Sequence, residues 1–299
     1  MFSRIEESLR GMLPIHRTRL SVYNYEDIPA GYYFEAMKSG HSVQRFWHQK
    51  KFTDVAQGLP EAGHILDVGC SAGSFLEMMM TVRPDLTAVG VDIASAQIAF
   101  AKKNVEPFHN GRVQFILLDE KDMSLPFPDA SFDAITSIEV IEHIHPHIAL
   151  RMLMEARRLL KPGGRLIVTT PNYRSSWPLI EWALEKTSPV QYHEQHINKY
   201  TPNSLVKFLE CAGFQVGSVR SLFVVAPFLA GLSWKFAERV MALEKRFSFL
   251  LGSLLVAEAT VDPVFATVSQ RPVTFTEPGN IDASVRKASF RDEQESVFH

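Results

Sequence analysis

Residues 64–73 of the 299-residue chain read HILDVGCSAG, a short apolar run that ends in an acid and a glycine-containing turn. The run predicts a buried β-strand, and the turn predicts a change of direction into a helix. Glycine lets the backbone turn tightly and lets a ligand approach the main chain closely. We therefore expect this segment to form the first strand–turn–helix unit of a ligand-binding sheet.

Strand-like and helix-like patterns alternate over the next 150 or so residues. We predict strands over 64–68, 86–91, 113–118, 132–138, 165–170 and 214–219. The predicted helices cover 42–57, 74–81, 96–104, 148–160 and 203–212. Strands that alternate with helices of this length indicate an α/β fold with a doubly wound, parallel sheet covered on both faces.

Acidic residues stand at the ends of consecutive predicted strands. Asp67 ends the first strand, Asp92 follows the second and Asp119 the third. Ligands of open α/β sheets bind outside the carboxyl ends of the strands, where these three side chains are expected. Because burying carboxylates without partners is costly, the pattern favours a ligand with matching donors, such as ribose hydroxyls at Asp92 and an adenine amino group at Asp119.

The ordered motifs resemble those of class I S-adenosylmethionine (SAM)-dependent methyltransferases, and most of all the branch that contains quinone-precursor O-methyltransferases. The similar segments are HILDVGCSAG, VGVDIA, LLDEKDMSLPFPDASFDAI, SIEVIEHI, LLKPGGRLIVTTPN and YTPNSLVKFLECAGF, and they extend over about residues 60–222. The resemblance implies a mostly parallel, seven-stranded, Rossmann-like sheet whose last, antiparallel strand covers 252–259. No phosphate-binding lysine follows the glycine turn, which also favours SAM over a dinucleotide.

The resemblance further implies which residues bind SAM. Those around its methionine portion would be Asp67, Gly69, Cys70, Ser71 and Gly73. Those around its adenosine and far side would be Asp92, Ile93, Asp119, Glu120, Ser137 and Ile138. Ser71 stands where the family usually has a glycine, so its backbone angles must permit the turn. We expect Cys70 to be a small packing residue rather than a nucleophile.

A second group of polar residues follows the fourth predicted strand, and the sequence leaves three interpretations of it open. In the first, His143 or His196 is a general base that takes a proton from the acceptor hydroxyl, with Glu142 beside it. In the second, the group binds a divalent cation such as Mg²⁺, because its spacing resembles the metal-binding element of quinone and small-RNA 2′-O-methyltransferases; the ligands would be Glu139, Glu142, His143 and His196. In the third, Glu142 and His143 are a hydrogen-bonding pair at a helix start.

The chain divides into three predicted regions. Residues 1–60 form an N-terminal helical cap that either packs on the domain edge or covers a ligand. Residues 61–262 form the SAM-binding domain, with an apolar helical insertion at 223–252 before the last strand. Its apolar stripe at helical spacing, with basic residues between, predicts a lid, a substrate wall or an interfacial helix; the stripe is Phe236, Val240, Leu243, Phe247 and Leu250. We expect residues 263–299 to form a disordered tail.

The composition indicates which kinds of partner and which cellular compartment to expect. The net charge is −2 and no basic block stands out, so nucleic acid is not expected as a partner. Two distant cysteines, Cys70 and Cys211, argue against a disulfide framework and for a reducing, cytoplasmic compartment. The N-terminus lacks an apolar signal core, and no apolar run is long enough to span a bilayer. Contact with a membrane surface through 223–252 stays open.

The sequence therefore favours transfer of a methyl group from SAM to a hydroxyl of an apolar small molecule, such as a quinone-like, lipid-linked or polyketide-like acceptor. Two alternatives remain. One is methylation of a sugar or another polar metabolite, and the other is a non-catalytic SAM-binding module or membrane-associated subunit. The motifs fix neither the acceptor atom nor the oligomeric state.

Overall fold

The computed structural model describes residues 28–119, 125–185, 195–247 and 251–262. The strands in these segments are β1 (Gly63–Val68), β2 (Leu86–Asp92), β3 (Val113–Leu117), β4 (Phe132–Ile138), β5 (Leu160–Pro171), β6 (Phe214–Leu222) and β7 (Leu254–Val261). The helices are α1 (Tyr32–Ser39), α2 (Ser42–Gln57), α3 (Ser74–Val82), α4 (Ser95–Asn104), α5 (Pro146–Leu159), α6 (Trp177–Glu185), α7 (Pro202–Cys211), α8 (Ala226–Leu229) and α9 (Trp234–Phe247). A short 3₁₀ helix covers Glu106–His109.

The strands form one sheet in the order β3-β2-β1-β4-β5-β7-β6. The first five strands are mutually parallel, whereas β7 pairs antiparallel with both β5 and β6. This confirms the predicted doubly wound, mostly parallel, seven-stranded Rossmann-like sheet. The strand order reverses between β1 and β4, and a crevice at such a reversal is where open α/β sheets bind their ligands.

Both faces of the sheet are covered, which explains why the strands are apolar at successive positions rather than at alternate ones. Ile65 and Leu66 are neighbours in β1, are both fully buried and belong to different core clusters. Helices α2, α3, α4, α8 and α9 cover the Ile65 face. Helices α5 and α7 cover the Leu66 face.

One strand begins earlier than its sequence predicts. Residues 161–164 (KPGG) were expected to stop the preceding helix, with β5 starting at Arg165. Instead α5 ends at Leu159, and β5 starts at Leu160, which pairs with Phe132 before a register shift. Gly163 has φ 78°, a left-handed conformation that glycine adopts easily, so the turn-like sequence fits within an irregular strand.

The insertion between β6 and β7 packs on the cap helix α2. Lys50 of α2 donates to Glu238 of α9 at 2.5 Å, and the Phe46 and Trp234 rings make an edge contact at 5.1 Å. Asp54 of α2, 1% exposed, accepts from Lys245 of α9 at 2.5 Å. The insertion therefore packs against the cap helix, and its role as a lid, a substrate wall or an interfacial helix stays a prediction.

Several sequence expectations fall on residues outside the described segments. They are residues 1–27 of the cap, Glu120, Leu250 of the apolar stripe and the tail 263–299. Within the described part of the chain, no helix combines the length and hydropathy that crossing a bilayer requires.

We predict that Asp54→Asn destabilises the fold by about 2 kcal/mol, because the buried carboxylate accepts charge-assisted hydrogen bonds from both Arg220 (2.7 Å) and Lys245. The matched control is Asp129→Asn. Asp129 pairs with Arg158 but its side chain is 63% exposed, so the loss should stay below about 1 kcal/mol. Urea unfolding of both variants measures the difference, and equal losses would contradict this account of the cap–insertion contact.

Candidate functional site

The turn after β1 uses left-handed backbone at three positions. Gly69 has φ 79°, Ser71 φ 49° and Gly73 φ 78°. A Cβ at Gly69 would lie 2.3 Å from Val140 Cγ2, and one at Gly73 would lie 2.6 Å from Phe115 Cζ. Glycine is therefore required at 69 and 73 by sterics as well as by conformation. Ser71 itself adopts left-handed backbone, so the serine is accommodated in the turn.

The Asp92 carboxylate fastens this turn to the end of β2. Its Oδ2 accepts from the Ser71 N–H at 2.8 Å, and its Oδ1 accepts from the Ala94 N–H at 2.9 Å. Ile93, the next residue, is 37% exposed at the same edge. The sequence placed Asp92 and the turn in one ligand site, and the structure brings them into direct contact.

Asp67 lies behind the turn with 2% of its surface exposed. Its Oδ1 accepts from the Thr136 hydroxyl at 2.6 Å. Burial raises the pKa of Asp67 to about 7, and the nearby Asp92 carboxylate adds to the rise. A cationic ligand group beside a buried carboxyl with a raised pKa would stabilise the ionised form of that carboxyl.

The remaining predicted SAM contacts lie at the ends of β1, β3 and β4. Cys70 is buried, and burial raises the pKa of its thiol, which suits a packing residue. Asp119 is exposed just beyond β3. Ser137 is 2% exposed near the end of β4, and Ile138 packs partly buried against the core. Their contacts with a cofactor stay predictions.

Three of the four residues predicted as possible metal ligands lie close together in the structure. Glu142, His143 and His196 each offer a ligand atom, and these atoms lie within 4.8 Å of one another. The His143 Nε2 and Glu142 Oε1 are 4.0 Å apart, and the two imidazole centroids are 4.9 Å apart. His196 lies more than fifty residues beyond His143 and reaches the cluster through the segment after α6.

Glu181 and Tyr173 hold His196 in place, and sequence reasoning missed both. The Glu181 carboxylate accepts from His196 Nδ1 at 2.6 Å, and the Tyr173 hydroxyl lies 3.0 Å from the same nitrogen. Tyr173 also donates to Glu181 at 2.9 Å. The apolar pattern of residues 177–182 (WPLIEW) with a single buried acid was the available signal for Glu181.

Burial shifts the pKa values of two members of the cluster in the direction that favours their neutral forms. It raises the pKa of Glu142 well above its usual range, and the Glu139 carboxylate adds to this. Burial, with His196 second, lowers the pKa of His143 to about 3. His143 Nδ1 lies 3.1 Å from the Gln195 carbonyl, which suits a neutral ring with its proton on Nδ1.

The structure does not place Glu139 with the other predicted metal ligands. Its carboxylate forms an ion pair with Lys51 of α2, whose side chain is 3% exposed. Glu139 has φ 54°, and its N–H donates to the Thr169 carbonyl at 3.0 Å. In this structure a buried lysine from the cap pairs with the Glu139 carboxylate, so the role of Glu139 as a metal ligand stays a prediction.

The remaining three donors fit Mg²⁺ poorly. Two imidazoles and one carboxylate suit zinc, iron or manganese, whereas Mg²⁺ prefers an all-oxygen set. The oxygen partners on His143 Nδ1 and His196 Nδ1 resemble the outer shell that orients metal-binding histidines. The chemistry of the donor set thus allows an imidazole-preferring metal and departs from the predicted Mg²⁺.

Buried polar atoms without hydrogen bonds of normal geometry concentrate around this cluster. Within the described residues, they include Ser137 Oγ, both Glu142 carboxylate oxygens, Thr170 Oγ1, Gln195 Nε2 and Tyr200 OH. All of these lie at the ends of β4 and β5 or in the segment just before α7. We call this set of buried polar atoms the polar chamber. Buried polar groups that lack good hydrogen bonds are costly in a folded protein, so we interpret the set as a place for a ligand's polar groups or water.

Aromatic rings form one wall beside the polar chamber. Trp47 of α2 lies 4.4 Å from the Phe223 ring and 5.8 Å from the Trp177 ring. Trp177 in turn lies 6.0 Å from His196. The cap, the insertion and α6 each contribute one ring, so the chamber is bordered by apolar surface on this side.

Comparison with known proteins places these features in a family. Residues 39–219 match a family described as a methyltransferase domain. A fatty-acid O-methyltransferase of Mycolicibacterium smegmatis is 29% identical over 190 residues, which cover 63% of this chain and 65% of the relative. The mitochondrial ubiquinone biosynthesis O-methyltransferase of Schizosaccharomyces pombe is 35% identical over 107 residues, 36% of this chain and 37% of the relative. The match thus spans less than two thirds of either relative.

Solved structures share the fold at low identity. The geranyl diphosphate C-methyltransferase of Streptomyces coelicolor A3(2) matches with a TM-score of 0.53 and 15% identity, over 82% of this chain and 88% of that one. The [4+2]-cyclase SpnF matches with a TM-score of 0.52 and 20% identity, over 71% and 80% of the two chains. At these identities the likeness shows the fold alone.

We predict that Lys51→Met destabilises the protein by about 2 kcal/mol, because Glu139 is left without its buried cation and close to Glu142. The loss is smaller than for a fully buried pair, since the Glu139 side chain is 23% exposed. Adding Glu139→Gln should restore part of the stability. Lys38→Met, which breaks the exposed pair with Glu77, is the control and should cost less than about 1 kcal/mol. Thermal or urea unfolding in which Lys51→Met and Lys38→Met behave alike would refute the role given to Lys51.

Proposed function

The chain belongs to the methyltransferase-domain family of class I SAM-dependent methyltransferases, and from this premise we propose that it transfers a methyl group from SAM to a hydroxyl of an apolar small molecule. The observation that carries this proposal is the polar chamber at the ends of β4 and β5, bordered by the Trp47, Trp177 and Phe223 rings. A chamber of this kind suits an acceptor with a polar reacting end and an apolar body.

The proposed donor site is the turn of residues 69–73 with Asp67 and Asp92. Gly69 and Gly73 let the main chain follow the left-handed turn beneath Val140 and Phe115, and Asp67 would accept the ammonium group of SAM. Asp92 would receive the ribose hydroxyls while it keeps its two backbone hydrogen bonds. SAM supplies an already activated methyl group, so the protein chiefly positions donor and acceptor and excludes water.

We propose His196 as the general base. Glu181 accepts the hydrogen bond from its Nδ1, which leaves Nε2 as the basic nitrogen of the ring. During transfer the bond between the methyl group and sulfur breaks, the bond to the acceptor oxygen forms, and the hydroxyl proton moves to His196. Glu142 and His143, whose pKa values burial shifts toward their neutral forms, would line the chamber and hydrogen-bond the acceptor.

A metal-assisted reaction is the second candidate, favoured by the convergence of Glu142, His143 and His196. A divalent cation held by these three side chains would orient the acceptor oxygen and favour its deprotonation. Chelation distinguishes the two candidates. If His196 acts as a base alone, activity persists after dialysis against EDTA; if a metal is needed, activity is lost and returns with zinc or manganese.

The aromatic wall and the named relatives favour an apolar acceptor over a sugar. The relatives include enzymes whose names mention fatty acids, ubiquinone biosynthesis and demethylrifamycin. Fatty acids and quinones with lipid tails have extended apolar parts. The proposal is tested by incubating the protein with methyl-labelled SAM and a cell lipid extract. Label in the organic phase supports it. Label confined to the aqueous phase would support a polar acceptor, and binding of SAM without any product would support a non-catalytic module.

We predict that His196→Gln lowers kcat by at least about a hundredfold, because a positioned general base typically contributes that much. The dissociation constant for SAM should not change, since His196 lies outside the donor site. His41→Gln, at an exposed position before α2, is the matched control and should keep full activity. Steady-state kinetics and calorimetry separate the effects, and a His196→Gln enzyme with normal kcat would remove His196 from the mechanism.

We predict that SAM binds more tightly as pH rises towards about 7, because burial raises the pKa of Asp67 to about 7 and SAM needs its ionised form. Below this pKa the carboxyl is protonated, so binding must release a proton and the affinity falls by up to about tenfold per pH unit. Calorimetry across this range measures the slope. Asp67→Asn should bind SAM weakly with little pH dependence, and an unchanged slope in that variant would contradict the assignment.

A further inference from the structure

Large apolar side chains are exposed mainly on two neighbouring parts of the structure. They lie on α6 and on the insertion between β6 and β7, and their exposed fractions range from 49% to 85%. We call them the apolar rim: Leu179, Trp182, Val225, Phe228, Leu232, Phe236, Leu243 and Leu251. Eight of the thirteen large apolar side chains exposed in the described segments belong to this set, which is a concentration rather than the usual scatter.

The two parts of the rim are tied together at the carboxyl edge of the sheet. Asn172, just before α6, donates to the Gly252 carbonyl at 2.8 Å, and the Ser176 and Ser253 hydroxyls lie 3.3 Å apart. Trp47 contacts Trp177 of α6 and Phe223 at the start of the insertion. The rim therefore lies beside the aromatic wall of the proposed acceptor site.

Helix α9 shows the chemistry of this surface most clearly. Phe236, Arg239, Leu243 and Arg246 are exposed and follow one another at helical spacing, so they share one outward face. Lys235 is exposed at the edge of this face. Apolar and cationic side chains thus alternate along it.

The two acids of α9 both accept hydrogen bonds from other residues, and the Glu238 side chain is 41% exposed. Glu238 accepts from Lys50 and from the Trp234 indole. Glu244 accepts from the backbone N–H groups of Val224, Val225 and Ala226, at 2.7–3.1 Å. The exposed cations on and beside this face are therefore Lys235, Arg239 and Arg246, whereas the fourth cation of the helix, Lys245, is bonded to Asp54.

From this arrangement we propose that the apolar rim and the cations of α9 form a docking surface for an anionic lipid membrane. Exposed aromatic and aliphatic side chains interleaved with arginine and lysine fit the headgroup–acyl boundary, where apolar groups are buried and cations meet lipid phosphates. The inference does not depend on the proposed reaction, since the surface lies outside the residues assigned to catalysis.

The test is sedimentation of the full chain with phosphatidylcholine vesicles that either contain or lack phosphatidylglycerol. We expect binding to the anionic vesicles and weak binding to the neutral ones. The double variant Leu232→Ser/Phe236→Ser should lower the vesicle partition coefficient by at least about tenfold, because two side chains no longer enter the lipid. Lys235→Glu/Arg239→Glu should abolish the preference for anionic vesicles, and added salt should weaken binding of the wild type.

The matched control is Phe108→Ser. Phe108 is 75% exposed on the short 3₁₀ helix, away from the rim, and its loss should leave vesicle binding unchanged. Calorimetry with SAM checks that every variant keeps the donor site, so that a loss of lipid binding is not mistaken for unfolding. The proposal is overturned if the wild type does not sediment with anionic vesicles, or if Leu232→Ser/Phe236→Ser binds them as the wild type does. A rim that instead mediates self-association, seen as a dimer that this variant converts to a monomer without a change in vesicle binding, would also overturn it.

Discussion

The proposed donor site depends on two hydrogen bonds that the Asp92 carboxylate accepts. They come from the Ser71 and Ala94 N–H groups and so join the end of β2 to the turn after β1. The turn passes through left-handed backbone at residues 69, 71 and 73, and Val140 and Phe115 pack where side chains at the two glycines would lie. A strained turn keeps one shape only when its surroundings hold it, and Asp92 supplies that constraint next to the buried Asp67.

The rest of the site is built by tying the cap and the insertion to the same sheet edge. Lys51 brings α2 to Glu139 at the end of β4, while Asp54 and Lys50 of the same helix hold α9. These contacts set the Trp47, Trp177 and Phe223 rings around the polar chamber. Donor binding, acceptor binding and the outward face of the insertion are therefore parts of one assembly, in which α2 is the common support.

The fold, and the meeting of Asp92 with the turn after β1, could be predicted from the sequence because they depend on local patterns. Buried strands, a glycine turn and acids at strand ends are all visible within short segments, and Asp67, Asp92 and the turn do meet. The acceptor side could not be predicted in the same way, since its geometry depends on long-range pairing. Lys51 is 88 residues from Glu139 in the sequence. The spacing that suggested four metal ligands therefore could not show that Glu139 pairs with a lysine of the cap. Glu181 was missed because nothing local links it to His196.

The account's central claim is that SAM binds where Asp92 holds the turn, and the affinity of Asp92→Asn for SAM tests it most directly. Titration calorimetry would compare this variant with the wild type and with Asp85→Asn, an exposed acid just before β2. The account predicts binding about thirtyfold weaker, equivalent to about 2 kcal/mol, for Asp92→Asn and wild-type affinity for Asp85→Asn. An Asp92→Asn protein that is folded and binds SAM within about twofold of the wild type would contradict it.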